Sequence, residues 1–369
     1  MENTNVLSGP SGSRNEALWM WLCSIPEIGP RSCRKLLDHF ENDIERIYRA
    51  DRQDLEKVLT PALAGRLEAG RNDGLISRDY EAMLKKGIRC VSCLDPLYPD
   101  RLMDLDDPPA ALFVKGRLPS GNELSLAFVG SRNCSSYGLE ITRMFSRSIA
   151  CEGISVVSGM ARGIDSAAHS GCLEAGGRTY AVLGCGADVC YPRENINLYE
   201  SIPETGGIIS EFPPGTSPLA QNFPRRNRLI AALAGGIIIT EARMKSGSLI
   251  TAELGLDLGR EIFAVPGRIT DPISEGCNKL LRDGAHVVTC ANDILLQFGI
   301  NRQMTLPAGK NGTGPVWEVY RRLSLIAKSS DEISHETGLP VSKVLESLIR
   351  LEIEGMADRI GKAQYIVKL

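Results

Sequence analysis

The chain has 369 residues, 43% of them hydrophobic and 24% charged, with 42 Lys and Arg against 45 Asp and Glu. A net charge of −3 excludes a generally basic coat protein, so any nucleic-acid contact needs a local cluster of cations. The length exceeds the ~250 residues that one hydrophobic core usually serves, which predicts two or three domains.

The first residues, "MENTNVLSGPSGSRNEALWMWLCSIPEIG", lack a basic segment followed by an apolar core, so no secretory signal is expected. No charge-free run reaches the ~18 apolar residues of a bilayer span. The 11 cysteines are odd in number and irregular in spacing, which points to a reducing cytoplasm. Cys90 and Cys93 form one CxxC, but zinc needs a second ligand pair at a suitable spacing. No metal is therefore expected.

Residues 14 to about 90 carry helical periodicity. Ile25-Pro26-Glu27-Ile28-Gly29 interrupts it in the manner of a helix-hairpin-helix turn. Such a turn either offers amides to a DNA phosphate or packs a small helical domain. From about residue 125 short β-branched runs recur: "SLAFV", "ISVVS", "RTYAVL", "GGIIS", "GGIIIT", "EIFAV" and "HVVT". Helical stretches separate most of them, which predicts an α/β fold with a mostly parallel, doubly wound sheet. Residues 301–314, "NRQMTLPAGKNGTG", have linker composition. Three helical segments and a two-stranded wing follow, the pattern of a winged helix. The expected domains are thus 1–94 (helical, SAM or helix-hairpin-helix-like), 95–300 (the α/β core), 301–314 (linker) and 315–369 (winged helix).

The chemistry is expected at the ends of the core strands. Gly130-Ser131-Arg132, Ser158-Gly159 with Gly163, Gly184 with Gly186, and Glu241 with Lys245-Ser246-Gly247-Ser248 follow successive strands. In an open parallel sheet such ends converge on one crevice, where glycines and helix N-termini suit a phosphorylated ligand. A dinucleotide fingerprint is missing, because the first turn reads "GSRNCSSYG" and the second strand ends in Ser158-Gly159. No P-loop occurs either, and no cofactor is expected.

"VGSRNCSSYG", "SGMARGIDSAAH", "LGCGADVCYPREN", "SEFPPG", "FPRRNRLIAALA", "EARMKSGSLITA", "AVPG" and "GCNKLLRDGA" resemble the DNA-processing protein A family, DprA or Smf. The resemblance runs from about residue 95 to 285. It implies an extended Rossmann-like core used without a dinucleotide, and a non-enzymatic single-stranded DNA-binding function. It also implies protection of incoming DNA and loading of RecA during natural transformation, with single-strand-binding protein a further candidate partner. Carried across, Arg132 and Arg193 contact phosphates, and Arg225, Arg226, Asn227, Arg228 and Lys245 line the same pocket. Those arginines are expected just before a helix start. Tyr137, Tyr191, Phe212 and Phe223 are loop aromatics on which bases can stack. The resemblance further places self-association and the RecA contact near Leu280 and Leu281, one of the two in the core and the other free for a homodimer partner.

Two other readings stand beside this one. Asp165 and His169, four apart at a helix start, have the spacing for acid–base work, or else they orient the turn. Glu211 and Glu241 can hold arginines in place. A nucleotide phosphoribohydrolase of the Lonely Guy type would need a P-G-G-x-G-T-x-x-E loop. "EARMKSGSLITAE" lacks the double glycine and sets Glu253 five residues after Ser248. A duplex-reading winged helix is disfavoured because "VSKVLESLIRLEIEG" carries three glutamates.

Overall fold

A computed structural model describes residues 10–121, 123–300, 314–324, 327–353, 356–360 and 364–367. The chain divides into two compact units, Met1–Phe298 and Gly299–Leu369. Apart from Gly314, the linker expected over 301–314 lies outside the described residues.

The first unit begins with six helices: α1 (Pro10–Ser24), α2 (Pro30–His39), α3 (Ile44–Arg49), α4 (Arg52–Glu56), α5 (Pro61–Ala69) and α6 (Asp73–Lys85). Their starts are locally encoded. Asp43, Asp51, Thr60 and Asn72 each accept a backbone N–H at an N-cap, and Pro30 and Pro61 occupy first-turn positions. In the hairpin turn Ile25 and Ile28 are buried with Leu18, Trp21 and Leu36. The apolar side chains of the turn thus pack the helical domain.

Strands β1 (Ile88–Ser92) and β2 (Ala111–Gly116) follow and pair antiparallel. The alternating part is β3 (Ser125–Val129), α7 (Ser136–Cys151), β4 (Ser155–Ser158), α8 (Ile164–Glu174), β5 (Thr179–Leu183), α9 (Ile196–Thr205) and β6 (Gly207–Ser210). It continues through α10 (Asn222–Leu233), β7 (Gly236–Ile239), α11 (Gly247–Asp257), β8 (Glu261–Ala264), α12 (Glu275–Arg282), β9 (His286–Val287) and α13 (Ala291–Gln297). The nine strands lie in the order β1-β2-β6-β5-β4-β3-β7-β8-β9, and all pairs from β6 to β9 are parallel. All seven strands expected from β-branched runs are present. β1 and β2 extend that sheet by antiparallel pairing with each other and with β6.

Burial explains the continuous apolar runs. Gly236–Ile239 is buried at every position because helices cover both faces of the sheet. Each fully buried Ile there contributes roughly 1.5–3 kcal/mol. On one face Leu229, Ile230 and Leu233 of α10 pack on Val157, Val182 and Ile237. The chain steps outward from β3 through β4 and β5 to β6, then returns through α10 to β7 on the other flank of β3. The order therefore reverses between β3 and β7, and the crevice outside that point is where such sheets bind ligands.

The second unit has α14 (Pro315–Arg322), α15 (Ser330–Thr337) and α16 (Val341–Ile353), with β10 (Lys328–Ser329), β11 (Ala357–Ile360) and β12 (Gln364–Val367). The strands pair antiparallel in the order β10-β12-β11 around Val319, Ile333, Val344 and Leu348. Ser329 and Glu332 form a capping box on α15, and Gly338 ends it at φ 70°.

Candidate nucleic-acid interface

At the reversal point a cleft of about 650 Å³ opens between the β3 and β7 loops. Gly130, Ser131, Arg132 and Asn133 form one wall, and Arg243, Lys245, Ser246, Gly247 and Ser248 the other. Phe223, Arg226 and Asn227 of α10 also line it. A neighbouring hollow of about 430 Å³ shares Arg132, Tyr191, Phe223 and Arg226, and adds Gly159, Arg162 and Arg193. Asp165 is the only acid among the described residues lining either space, against Arg132, Arg162, Arg193, Arg226, Arg243 and Lys245. The balance favours an anion.

The sequence reading placed Arg225, Arg226 and Arg228 together ahead of a helix. The structure corrects this: α10 starts at Asn222, so all three are helical, and at ~100° per residue Arg226 faces away from Arg225 while Arg225 and Arg228, three apart, share one side. Arg226 turns inward. It is 4% exposed, and Nη1 donates to the Val182 carbonyl at 2.5 Å. Its Nε is buried without a partner, and no carboxylate among the described residues comes within ion-pair distance. Burial pulls the guanidinium below its usual pKa, and the charge of Asp165 opposes that pull. Arg228 points elsewhere and is neutralised, giving Nη2 to Glu211 and Nη1 to the Asp107 carbonyl at 2.7 Å. Arg225 is exposed over the Phe212 ring, 5.4 Å from its centroid. It borders a separate groove shared with the α1–α2 turn, where Glu27, Asp79 and Glu211 outweigh it. That groove is a poor place for phosphate.

Glycines expected to admit phosphate instead admit side chains. A Cβ on Gly159 would overlap the Arg226 guanidinium, and one on Gly184 would come 2.9 Å from the Phe223 ring. The two residues thereby seat the floor of the cleft. Phe223 lies tilted against Tyr191 with centroids 5.7 Å apart, and the Arg132 guanidinium sits 5.2 Å from its centroid. Tyr191 is 41% exposed and Tyr137 56%, whereas Phe212 is buried. Tyr191 thus remains available for stacking beside Phe223, whereas Tyr137, expected in a loop, stands in the first turn of α7 and lines neither space.

The acids and the histidine serve the frame. Glu241 accepts from the Ser135 N–H at 2.8 Å and its hydroxyl at 2.5 Å, holding the N-cap of α7 instead of an arginine. Glu211 does hold an arginine, Arg228. Asp165 accepts from the Ala161 N–H at 3.3 Å, and burial raises its carboxyl while Arg226 opposes that shift. His169 is fully buried, with Nδ1 2.7 Å from the Thr179 hydroxyl. That hydroxyl donates to the Val156 carbonyl at 3.0 Å, so the imidazole proton must sit on Nδ1. Burial holds its pKa down at about 3. A group with no solvent path cannot exchange protons with a ligand in the cleft.

Of the residues expected in the site, Gly130, Ser131, Arg132, Gly159, Arg193, Phe223, Arg226, Asn227, Lys245, Ser246, Gly247 and Ser248 line the two spaces. Ser158 is fully buried and donates to the Phe128 carbonyl at 2.6 Å. Gly186 pairs its N–H with Thr216, away from the cleft. Gly163, at φ 77°, caps α8 against the Ser131 carbonyl, and Gly184 stands behind Phe223. These four, with Arg225 and Arg228, line neither space. Arg243 was missed, although it lies two residues before Lys245 within a motif already noted. Arg162 is exposed but paired with Glu194 at 2.6 Å.

A mostly parallel sheet with a cation-ringed, aromatic-floored cleft at its reversal point defines the class: a Rossmann-like fold with its candidate site at the switch point. Residues 89–299 match the family described as DNA recombination-mediator protein A. The chain belongs to that family. It is 40% identical to Protein Smf of Escherichia coli (strain K12) over 268 residues, 70% of this chain and 72% of that protein. It is 39% identical over 264 residues to DNA processing protein DprA of Streptococcus pneumoniae, covering 72% of this chain and 92% of the relative. The X-ray structure of DNA processing protein A from Streptococcus pneumoniae superposes with a TM-score of 0.65 at 35% identity, covering 76% of this chain and 95% of that one. A structure of DNA processing protein A from Helicobacter pylori, described for its single-stranded DNA binding mode, gives a TM-score of 0.51 at 28% identity. It covers 57% of this chain and 95% of that one.

Proposed function

We propose that the cleft binds single-stranded DNA and that the chain acts as a non-enzymatic recombination mediator, protecting incoming strands and helping to load RecA onto them. One observation carries the reading: Arg226 is a buried cation without a carboxylate partner, on a floor it shares with Phe223 and Tyr191. Asp165 offsets part of the cost of burying that charge from beyond ion-pair distance, and a phosphate in the cleft would supply a closer counter-charge. Exposed Arg132, Arg193 and Lys245 add phosphate contacts, while Tyr191 offers a ring face that accepts any base. The lone acid on the walls, Asp165, is buried and held near Ala161, which favours binding over catalysis.

The reading extends to partners and domains. Leu280 is buried and Leu281 half-buried on α12, which supports a homodimer formed through Leu281. We read the second unit as a winged helix. Its α16 exposes Val341, Leu345 and Ile349 at i, i+4 and i+8, a face suited to protein and not to phosphate. No helix among the described residues is long and apolar enough to cross a membrane, and we assign a cytoplasmic setting. The test is a salt series comparing single-stranded and duplex DNA of one sequence. Preference for the single strand is expected, and equal or tighter duplex binding would defeat the reading.

A further inference from the structure

Strands β3, β7 and β8 are neighbours, and they end level. Val129 pairs with Ile239, and Ile239 with Ala264. Their following loops therefore leave the sheet side by side, at ~4.8 Å per strand. The first carries Arg132 and the second Arg243 and Lys245, all exposed in the cleft walls. The third loop, after β8, belongs to no site described so far. It carries Arg268 and Ile269, and Ile269 is 91% exposed, the most exposed large apolar residue among those described.

That loop is held rigidly. Asn278 of α12 brackets Gly267 with two hydrogen bonds, accepting from its N–H at 3.2 Å and donating to its carbonyl at 3.1 Å. The Asp271 N–H bonds to the Arg268 carbonyl, and the Asp271 carboxylate caps Ile273. An isoleucine fixed in water at the tip of a pinned turn gains nothing for folding. Met244, on the β7 loop, is 48% exposed, and Ile250 of α11, 46% exposed, is part of the cleft wall. Among the described residues Arg243 and Arg268 form no ion pair. Exposed cations thus stand on all three adjacent loops, with exposed apolar groups at Met244 and Ile269. Such a surface suits an outgoing strand, with phosphates on the arginines and base faces against exposed apolar side chains.

We propose that single-stranded DNA seated in the cleft continues over the β8–α12 loop, with Arg268 on a phosphate and Ile269 against a base. The proposal rests on the cleft being a single-strand site. Its test is an oligothymidine series of increasing length, titrated against the full-length wild type, Arg268→Ala, Ile269→Ser and Arg132→Ala, each checked by thermal melting. Arg132→Ala should weaken binding at every length. Arg268→Ala should match wild type on the shortest oligonucleotides, then fall behind beyond a threshold length, with a salt slope shallower by about 0.7. Ile269→Ser should weaken binding to the long strands and leave the shortest ones unchanged. If Arg268→Ala and Ile269→Ser track wild type at all lengths while Arg132→Ala is weakened, the strand ends at the cleft and this proposal is wrong. If Arg132→Ala is also unaffected, or wild type does not bind, the cleft reading itself has failed and takes the extension with it.

Discussion

Arg132 and Arg193 are exposed at the cleft, without a carboxylate partner among the described residues, so their charge is available to phosphate. Replacing either by Ala should weaken single-strand binding for every sequence and flatten the log–log salt slope by about 0.7 per contact, read from binding isotherms at several salt concentrations. Gly159 makes a sharper test of the cleft floor. Gly159→Ala should cost on the order of 1–3 kcal/mol in thermal or denaturant melts, because the added methyl overlaps the Arg226 guanidinium. It should also weaken DNA binding by displacing that guanidinium. His169 predicts a pH response. Its folded pKa is depressed to about 3 from an ordinary 6.5, so the unfolded chain takes up the proton first as pH falls. Stability should therefore drop below pH 6.5 down to about 3, with this residue adding a slope of up to ~1.4 kcal/mol per pH unit. Buried Asp165 and Glu211, whose carboxyls are raised, act with the opposite sign, since their protonation on acidification relieves a burial cost. Comparing denaturation of wild type and His169→Gln across that window isolates the histidine. Equal slopes would show that it is not buried as neutral imidazole.

Among the elements, α10 and α12 decide most. The 3.6-residue turn of α10 sends Arg226 to the cleft floor and puts Arg225 and Arg228, three apart, on another side, where Arg228 pairs with Glu211. α12 buries Leu280 and leaves Leu281 half-covered. Leu281→Arg should give a folded monomer if that side chain meets a second copy, because an unpaired charge is costly in an apolar interface. Light scattering together with a melt reads the result. A folded wild-type monomer at micromolar concentration would remove the dimer. At this scale the alternation of β-branched and helical segments made all seven parallel strands legible. β1 and β2 were not, because "IRCVS" and "ALFVKG" join the sheet by antiparallel pairing, which leaves no nearby mark in the chain.

On the scale of the molecule, the first unit holds both faces of the nine-stranded sheet and every residue lining the cleft. A chain ending at Phe298 should therefore melt cooperatively and keep its affinity for short single strands. Loss of that affinity in a folded truncation would assign part of the site to the second unit.

Sequence alone determined the α/β class, the glycine-rich strand ends and most of the cleft's residues, because helix and strand periods and turn chemistry act between near neighbours. The use of each charge was decided only in three dimensions. Arg228 is silenced by Glu211 and by the carbonyl of Asp107, 121 residues away, while Arg226 two positions earlier has only the Val182 carbonyl and no ion pair among the described residues. Strand order sets those meetings, and strand order comes from how buried faces fit together across the whole sheet. No local window of the chain contains that information.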